Sequence, residues 1–135
     1  MKTVNFIKEN DLPFLLPIIE EFSSLTETPF SLHLHEVAAS LFDEAYCTLI
    51  GKEEDKIVSY LSGNQISRKE FMIAQIYSSD PQLTKIMGEM LDDYILERGM
   101  SKCLGLFKHD NVRFLQRYGF KVERYLVGKE IKKEK

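Results

Sequence analysis

The stretch from Phe71 to Phe107 constrains the fold more than any other. It begins with "FMIAQIYSS", an apolar run with β-branched and aromatic residues, and ends with "KCLGLF". Between them Leu83, Ile86, Met87, Met90, Leu91, Tyr94 and Ile95 recur at the spacing of one helical face. Asp80-Pro81 offers a side-chain acceptor for the free first-turn N–H groups, then a proline where no N–H is needed. Gly99 stands where the pattern stops, and glycine turns left-handed without penalty. Strand, helix and strand in this order predict parallel neighbours joined by a right-handed crossover. The unbroken apolar run of "KCLGLF" predicts a strand covered on both faces.

Upstream, "TVNFI" predicts a short strand. "NDLPFLLPIIEEFSSL" then places Leu12, Leu15, Leu16, Ile19 and Phe22 at helical spacing, with Asn10 or Asp11 as cap. Pro13 suits a first turn, whereas Pro17 lies deeper and predicts a kinked or divided helix. After the polar joint "TETP", Leu34, Val37, Ala38, Leu41 and Phe42 support a second helix from about Leu32 to Phe42. "AYCTLIG" and "KIVSYLSG" around the charged "KEEDK" predict a hairpin, and "FMIAQIYSS" follows as a further strand. Beyond the crossover, "HDNVRFLQRYGF" predicts a short helix capped by Asp110 or Asn111 and stopped by Gly119. Phe114, Leu115 and Tyr118 fall on one of its faces. A last strand from Val122 to about Ile131 completes the order β-α-α-β-β-β-α-β-α-β, an α/β (α+β) arrangement with one parallel crossover.

A chain of 135 residues suggests one domain, residues 1–135, with a real core. Net charge is −3, and the one lysine cluster, "KEIKKEK", is interrupted by glutamates, which argues against nucleic acid as a partner. "MKTVNFIKEN" is too polar for a signal peptide and no apolar run approaches membrane-spanning length, so a cytoplasmic protein is expected. Cys47 and Cys103 sit in apolar runs and read as buried free thiols. His33 and His35 form an H-x-H pair with no third ligand nearby, and no metal is expected.

The element order, with "KIVSYLSG" ahead of the crossover and "RYGF" closing the last helix, resembles the GCN5-related N-acetyltransferase (GNAT) family over essentially the whole chain. The resemblance implies a mixed, mostly antiparallel twisted sheet whose fourth and fifth strands part into a V. It implies acetyl-CoA as cosubstrate and an amine as acceptor. The pantetheine arm would lie between "AQIYSS" and "KCLGLF", pairing as an added strand would. Ile76, Tyr77 and Ser78 would bind the thioester and pantetheine, and Gln82, Leu83, Thr84 and Lys85 the pyrophosphate at the helix start. Asn111 resembles an asparagine that contacts the cosubstrate. The acceptor pocket would be walled by "SSLTETPFSLH" and the last strand, in a monomer or homodimer.

Two departures from the family pattern stand out. Where the family has an Arg/Gln-x-x-Gly-x-Gly/Ala loop, this chain has "SSDPQLTK" without glycine. A capping Asp80 would take the amides that a phosphate needs and repel it, with Thr84 and Lys85 compensating in part. Gly88 lies a turn too late to serve and reads as a helix-packing glycine. The second departure is Leu115, at the place of the tyrosine that protonates departing CoA in F-Y-x-x-x-G-F, with Tyr118 assigned to the core. A thiol with a pKa of roughly 8.5 leaves without that help better than an alkoxide.

Acetyl transfer also needs the amine deprotonated and the oxyanion stabilised. A strand N–H can meet the second need. For the first, Tyr77 and His109 are the titratable candidates, since Gln75 cannot serve and Glu70 stands further back. A rim aromatic is the other reading of Tyr77, and a solvent-exposed side chain that of His109. Two functions are consistent with these residues: an N-acetyltransferase, or a catalytically impaired protein that keeps the fold and acts as a binding or structural protein, including one of phage type.

Overall fold

The computed structural model describes residues 1–106, 116–122 and 127–131. Lys2–Phe6 forms strand β1, and a tight 3-10 turn at Glu9–Asp11 leads into helix α1, Leu12–Thr26. Helix α2 spans Phe30–Ala39. Strands β2 (Tyr46–Glu53), β3 (Lys56–Gln65) and β4 (Glu70–Tyr77) follow, then helix α3 (Pro81–Glu97) and strand β5 (Lys102–Gly105). The strands lie in one sheet in chain order, antiparallel except for the β4–β5 pair. The expected crossover is present, and the sheet is mixed and mostly antiparallel.

Each face of the sheet is closed by an amphipathic helix or two. Leu83, Met87, Leu91 and Ile95 recur every fourth residue of α3 and are buried, the last three in one core with Leu49, Leu61, Phe71 and Ile73. On the other face Leu15 and Ile19 of α1 and Val37 of α2 cover Ile50, Ile57 and Tyr60. Burying side chains of this size contributes about 1.5–3 kcal/mol each, so both faces hold the sheet firmly. The end of α3 follows its sequence closely. Gly99 adopts φ +78° and donates to Leu96 O at 3.1 Å, and Met100 N–H donates to Ile95 O at 3.0 Å. Met100 is thereby buried at the helix end, the pattern of a Schellman cap.

Several expectations need correction. Pro17 does not divide α1. It forfeits only the bond to Pro13 O, which lies on an exposed residue near the helix start, while Leu15 and Ile19 anchor both sides. Asp11 precedes α1 but does not cap it, because its carboxylate accepts from Lys8 N–H at 2.9 Å, closing the 3-10 turn, and from Lys52 Nζ at 3.3 Å. Helix α2 starts and stops earlier than expected. Ser40 Oγ bonds Thr48 Oγ1 at 2.9 Å, drawing the chain onto the sheet and leaving Phe42 exposed. Strand β5 is half-buried rather than covered.

Of the expected last helix, Gln116 is helical and Gly119 takes φ +88° as its stop, while residues 107–115 lie outside the described part. Of the expected last strand, residues 123–126 lie outside it too. Val122 and residues 127–131 form no strand, and Val127 and Ile131 are exposed.

Candidate active site

The feature that distinguishes β4 is where its pairing ends. It pairs with β5 from Glu70↔Lys102 to Ile73↔Gly105, and β5 stops there. From Ala74 to Tyr77 the strand runs on with no β5 partner among the described residues. This is the V, opening at Ala74. On the β3 side the register shifts at the same place: Ser62 opposes Gln75 and Gly63 opposes Ile73, so Ala74 is an extra residue, a β-bulge. The partner strand must come close there. A Cβ on Gly63 would lie 2.2 Å from Met72 O and 3.0 Å from Ile73 Cα, so only glycine fits.

The bulge also re-aims the side chains. Strict alternation would put Phe71, Ile73, Gln75 and Tyr77 on one face. Instead Phe71 and Ile73 join the α3-side core, and Gln75 and Tyr77 point to α1 and α2. Gln75 Nε2 donates to His33 O and to Glu36 Oε2, each at 3.1 Å, and its Oε1 accepts from Tyr60 OH at 2.7 Å. His33 Nδ1 and Ser23 Oγ share a 2.7 Å bond. Phe22 stands edge-on to Tyr60 and Tyr77, whose rings stack 6.5 Å apart. Burial lowers the His33 pKa against the opposing pull of Glu36, so the ring stays neutral in neutral solution. The Glu21 carboxylate beside the Tyr77 hydroxyl, with burial second, raises the Tyr77 pKa.

The start of α3 is organised by its cap. Asp80 Oδ1 accepts from Gln82 N–H at 2.9 Å and Leu83 N–H at 3.4 Å, and Oδ2 meets Lys2 Nζ of β1 at 2.7 Å. Lys2 Nζ also donates to Gln82 Oε1 at 2.9 Å. The Asp80 carboxyl is held below the usual range, first by Lys2 and also by the two backbone amides. The Thr84 hydroxyl is committed to Ser78 Oγ at 2.8 Å and Asp80 O at 3.0 Å. Lys85 is exposed and Leu83 is buried in the core.

A cavity of about 280 Å³ opens between β4, β5 and α3, lined by Ile73, Ile76, Thr84, Lys85, Cys103 and Tyr118 among others. Tyr118, expected in the core, is half-buried on this wall beside Phe120, which is also half-buried and packs against the core. Gly88 also lines the cavity. A Cβ there would meet nothing within 4 Å among the described residues, so it is not a packing glycine. The Cys103 thiol is pushed up to about 12 by burial and then by Asp92, which suits it poorly to nucleophilic work. A second cavity of about 310 Å³, between Phe6, Phe42, Tyr94 and Arg98, sits at the other end of the sheet, away from the V.

The structure thus brings Ile76, Tyr77 and Ser78 to the V, with Gln82, Leu83, Thr84 and Lys85 beside it. His109, Asn111 and Leu115 lie outside the described residues. Sequence reasoning missed Glu36 and Glu21, which carry no motif and gather at the site through α1 and α2. The signal present was Gln75, a polar residue inside an apolar strand, which requires partners when buried.

No protein-family model and no curated protein matches the sequence. Solved structures do match. One is the aminoglycoside N-acetyltransferase AAC(6')-Iy in complex with a bisubstrate analogue, with TM-score 0.80, 11% identity, and 97% of this chain and 99% of that one covered. The ribosomal-protein-alanine N-acetyltransferase of Brucella melitensis biovar Abortus gives TM-score 0.75 at 12% identity, covering 98% and 100%. A predicted acetyltransferase from Clostridium acetobutylicum, solved with acetyl-CoA, gives 0.76 at 15%, covering 96% of each. With its parted β4–β5 pair and its crossover helix, this chain has the fold of the GCN5-related N-acetyltransferases.

Proposed function

We propose that this chain transfers an acetyl group from acetyl-CoA to an amine. The observation that carries the reading is the bulged edge of β4 at Ala74–Tyr77, which has no β5 partner among the described residues. An extended pantetheine arm, with its amides, can add to such an edge as a strand does. Ile76, Tyr77 and Ser78 would hold it through backbone groups, and a backbone N–H at the bulge would face the thioester oxygen as charge develops there. The start of α3 fits a pyrophosphate less well. Asp80 already engages the Gln82 and Leu83 amides, and Thr84 is committed, leaving exposed Lys85 and Arg117 as cations on the cavity between β4, β5 and α3 among the described residues. The Tyr77 hydroxyl, protonated in neutral solution, suits donation to departing sulfur better than removal of a proton from the amine. His109 and Asn111 enter this reading from sequence resemblance alone.

The occupied helix start also favours a second reading, a GNAT-fold protein that binds a partner without turnover. Heat stabilisation by acetyl-CoA and thiol release with an amine panel separate the two. Stabilisation with turnover is expected. Neither effect with any amine leaves the binding-protein reading.

A further inference from the structure

The polar cluster between β4 and α2 supplies residues for roles within the proposed reaction, and those roles rest on the acetyltransferase reading. Gln75 is buried, and its amide is saturated by His33 O, Glu36 and Tyr60. Reversing the amide would set its oxygen against a carbonyl and a carboxylate, so its orientation is fixed. Gln75 is also one of the β4 residues with no β5 partner among the described residues. Glu36 therefore stands one glutamine side chain and one hydrogen bond from the backbone that would hold the thioester.

The other titratable groups facing this spot are less suited. Tyr60 has its proton committed to Gln75, and burial followed by the Glu36 charge raises its pKa further. His33 spends Nδ1 on Ser23. The Tyr77 hydroxyl is engaged by Glu21 of α1, which raises its pKa. Glu36 is half-buried, and Gln75 Nε2 donates to Oε2, one of its two carboxylate oxygens.

We propose that Glu36 receives the acceptor's proton and that Gln75 is the positioning residue that holds Glu36 for this step. The Glu36 carboxylate takes one proton from the acceptor ammonium, directly or through one water. The freed nitrogen pair then forms the C–N bond at the thioester carbonyl, and the C–S bond breaks as the intermediate collapses. The second nitrogen proton ends on the departing sulfur, giving amide and thiol, and Glu36 returns its proton to solvent.

The test measures thiol release from acetyl-CoA against pH with an amine panel, and amine binding by calorimetry without donor. Glu36→Gln is the decisive variant because its amide oxygen still accepts from Gln75, so the melting temperature should hold. Its kcat is expected to fall about 10²- to 10⁴-fold near neutral pH, with amine affinity changed little. The deficit should narrow as pH rises towards the pKa of the amine itself. Glu36→Asp should keep the wild-type pH profile at reduced kcat. Gln75→Met should lower kcat in the wild-type background and add nothing in Glu36→Gln. Unchanged kcat in Glu36→Gln, a deficit seen only in KM, or additive losses would overturn the proposal alone. Wild type with neither thiol release nor stabilisation by acetyl-CoA would remove the transferase reading and this proposal with it.

Discussion

The β4 edge at Ala74–Tyr77 and the α3 start at Asp80–Thr84 adjoin in the chain and would serve one donor molecule, yet they differ in kind. At the strand edge the features are backbone features, a bulge and a stretch with no β5 partner among the described residues, which many side chains can support. At the helix start the outcome depends on one side chain, and Asp80 with Lys2 fills the place a ligand anion would take. On the proposed reading, the acyl group would rest on backbone that tolerates wide divergence in sequence, while the phosphates would meet a helix start that Asp80 and Lys2 already occupy.

Gly63→Ala should break the strand half most severely, since the added methyl meets Met72 O at 2.2 Å and the two strands must separate. A loss of about 3 kcal/mol or more in urea unfolding is expected. A variant as stable as wild type would mean that the bulge is not held by close approach.

Acid sharpens the contrast next. Burial lowers the His33 pKa, so below about pH 6.5 the unfolded chain binds a proton that the folded chain refuses. His33 thus stabilises above that pH, and stability is lost as pH falls, by at most about 1.4 kcal/mol per pH unit. Asp80 has its pKa lowered too, but its contribution is intact above about pH 3.9. Thermal melts between pH 7.5 and 5 therefore report on the α1/α2 side, and His33→Gln should flatten them.

Asp80→Asn tests the helix half directly. It retains an acceptor for the Gln82 and Leu83 amides and removes the charge, so CoA affinity by calorimetry should rise about two- to fivefold. Pantetheine, which has no phosphate, should bind as before. A rise for both ligands would place the effect on the strand edge instead. The smallest change expected is in Lys2→Met. Lys2 is the largest cause of the low Asp80 pKa, so NMR titration should find that carboxyl moved up towards its ordinary value, with the fold unaltered.

What the sequence could reveal divides along the same line. The Asp80 cap, the Gly99 and Gly119 stops and the crossover are local, each written in a few neighbouring residues. The bulge at Ala74 is set by register between β3 and β4, which no short window contains. The Gln75–Glu36 bond joins residues 39 positions apart, so Gln75 could be seen as a polar oddity but not as a holder. Pro17 misled because the rule for proline ignores how much packing anchors the rest of α1.

The crowding at Gly63 has one consequence for any map of mutational tolerance. Gly63 and Glu36 would score as equally indispensable in an activity screen, although one merely lets two strands touch and the other is proposed to handle a proton. A screen reading abundance beside activity would separate them. Gly63 variants should disappear from the cell, whereas Glu36→Gln should accumulate normally and stay silent.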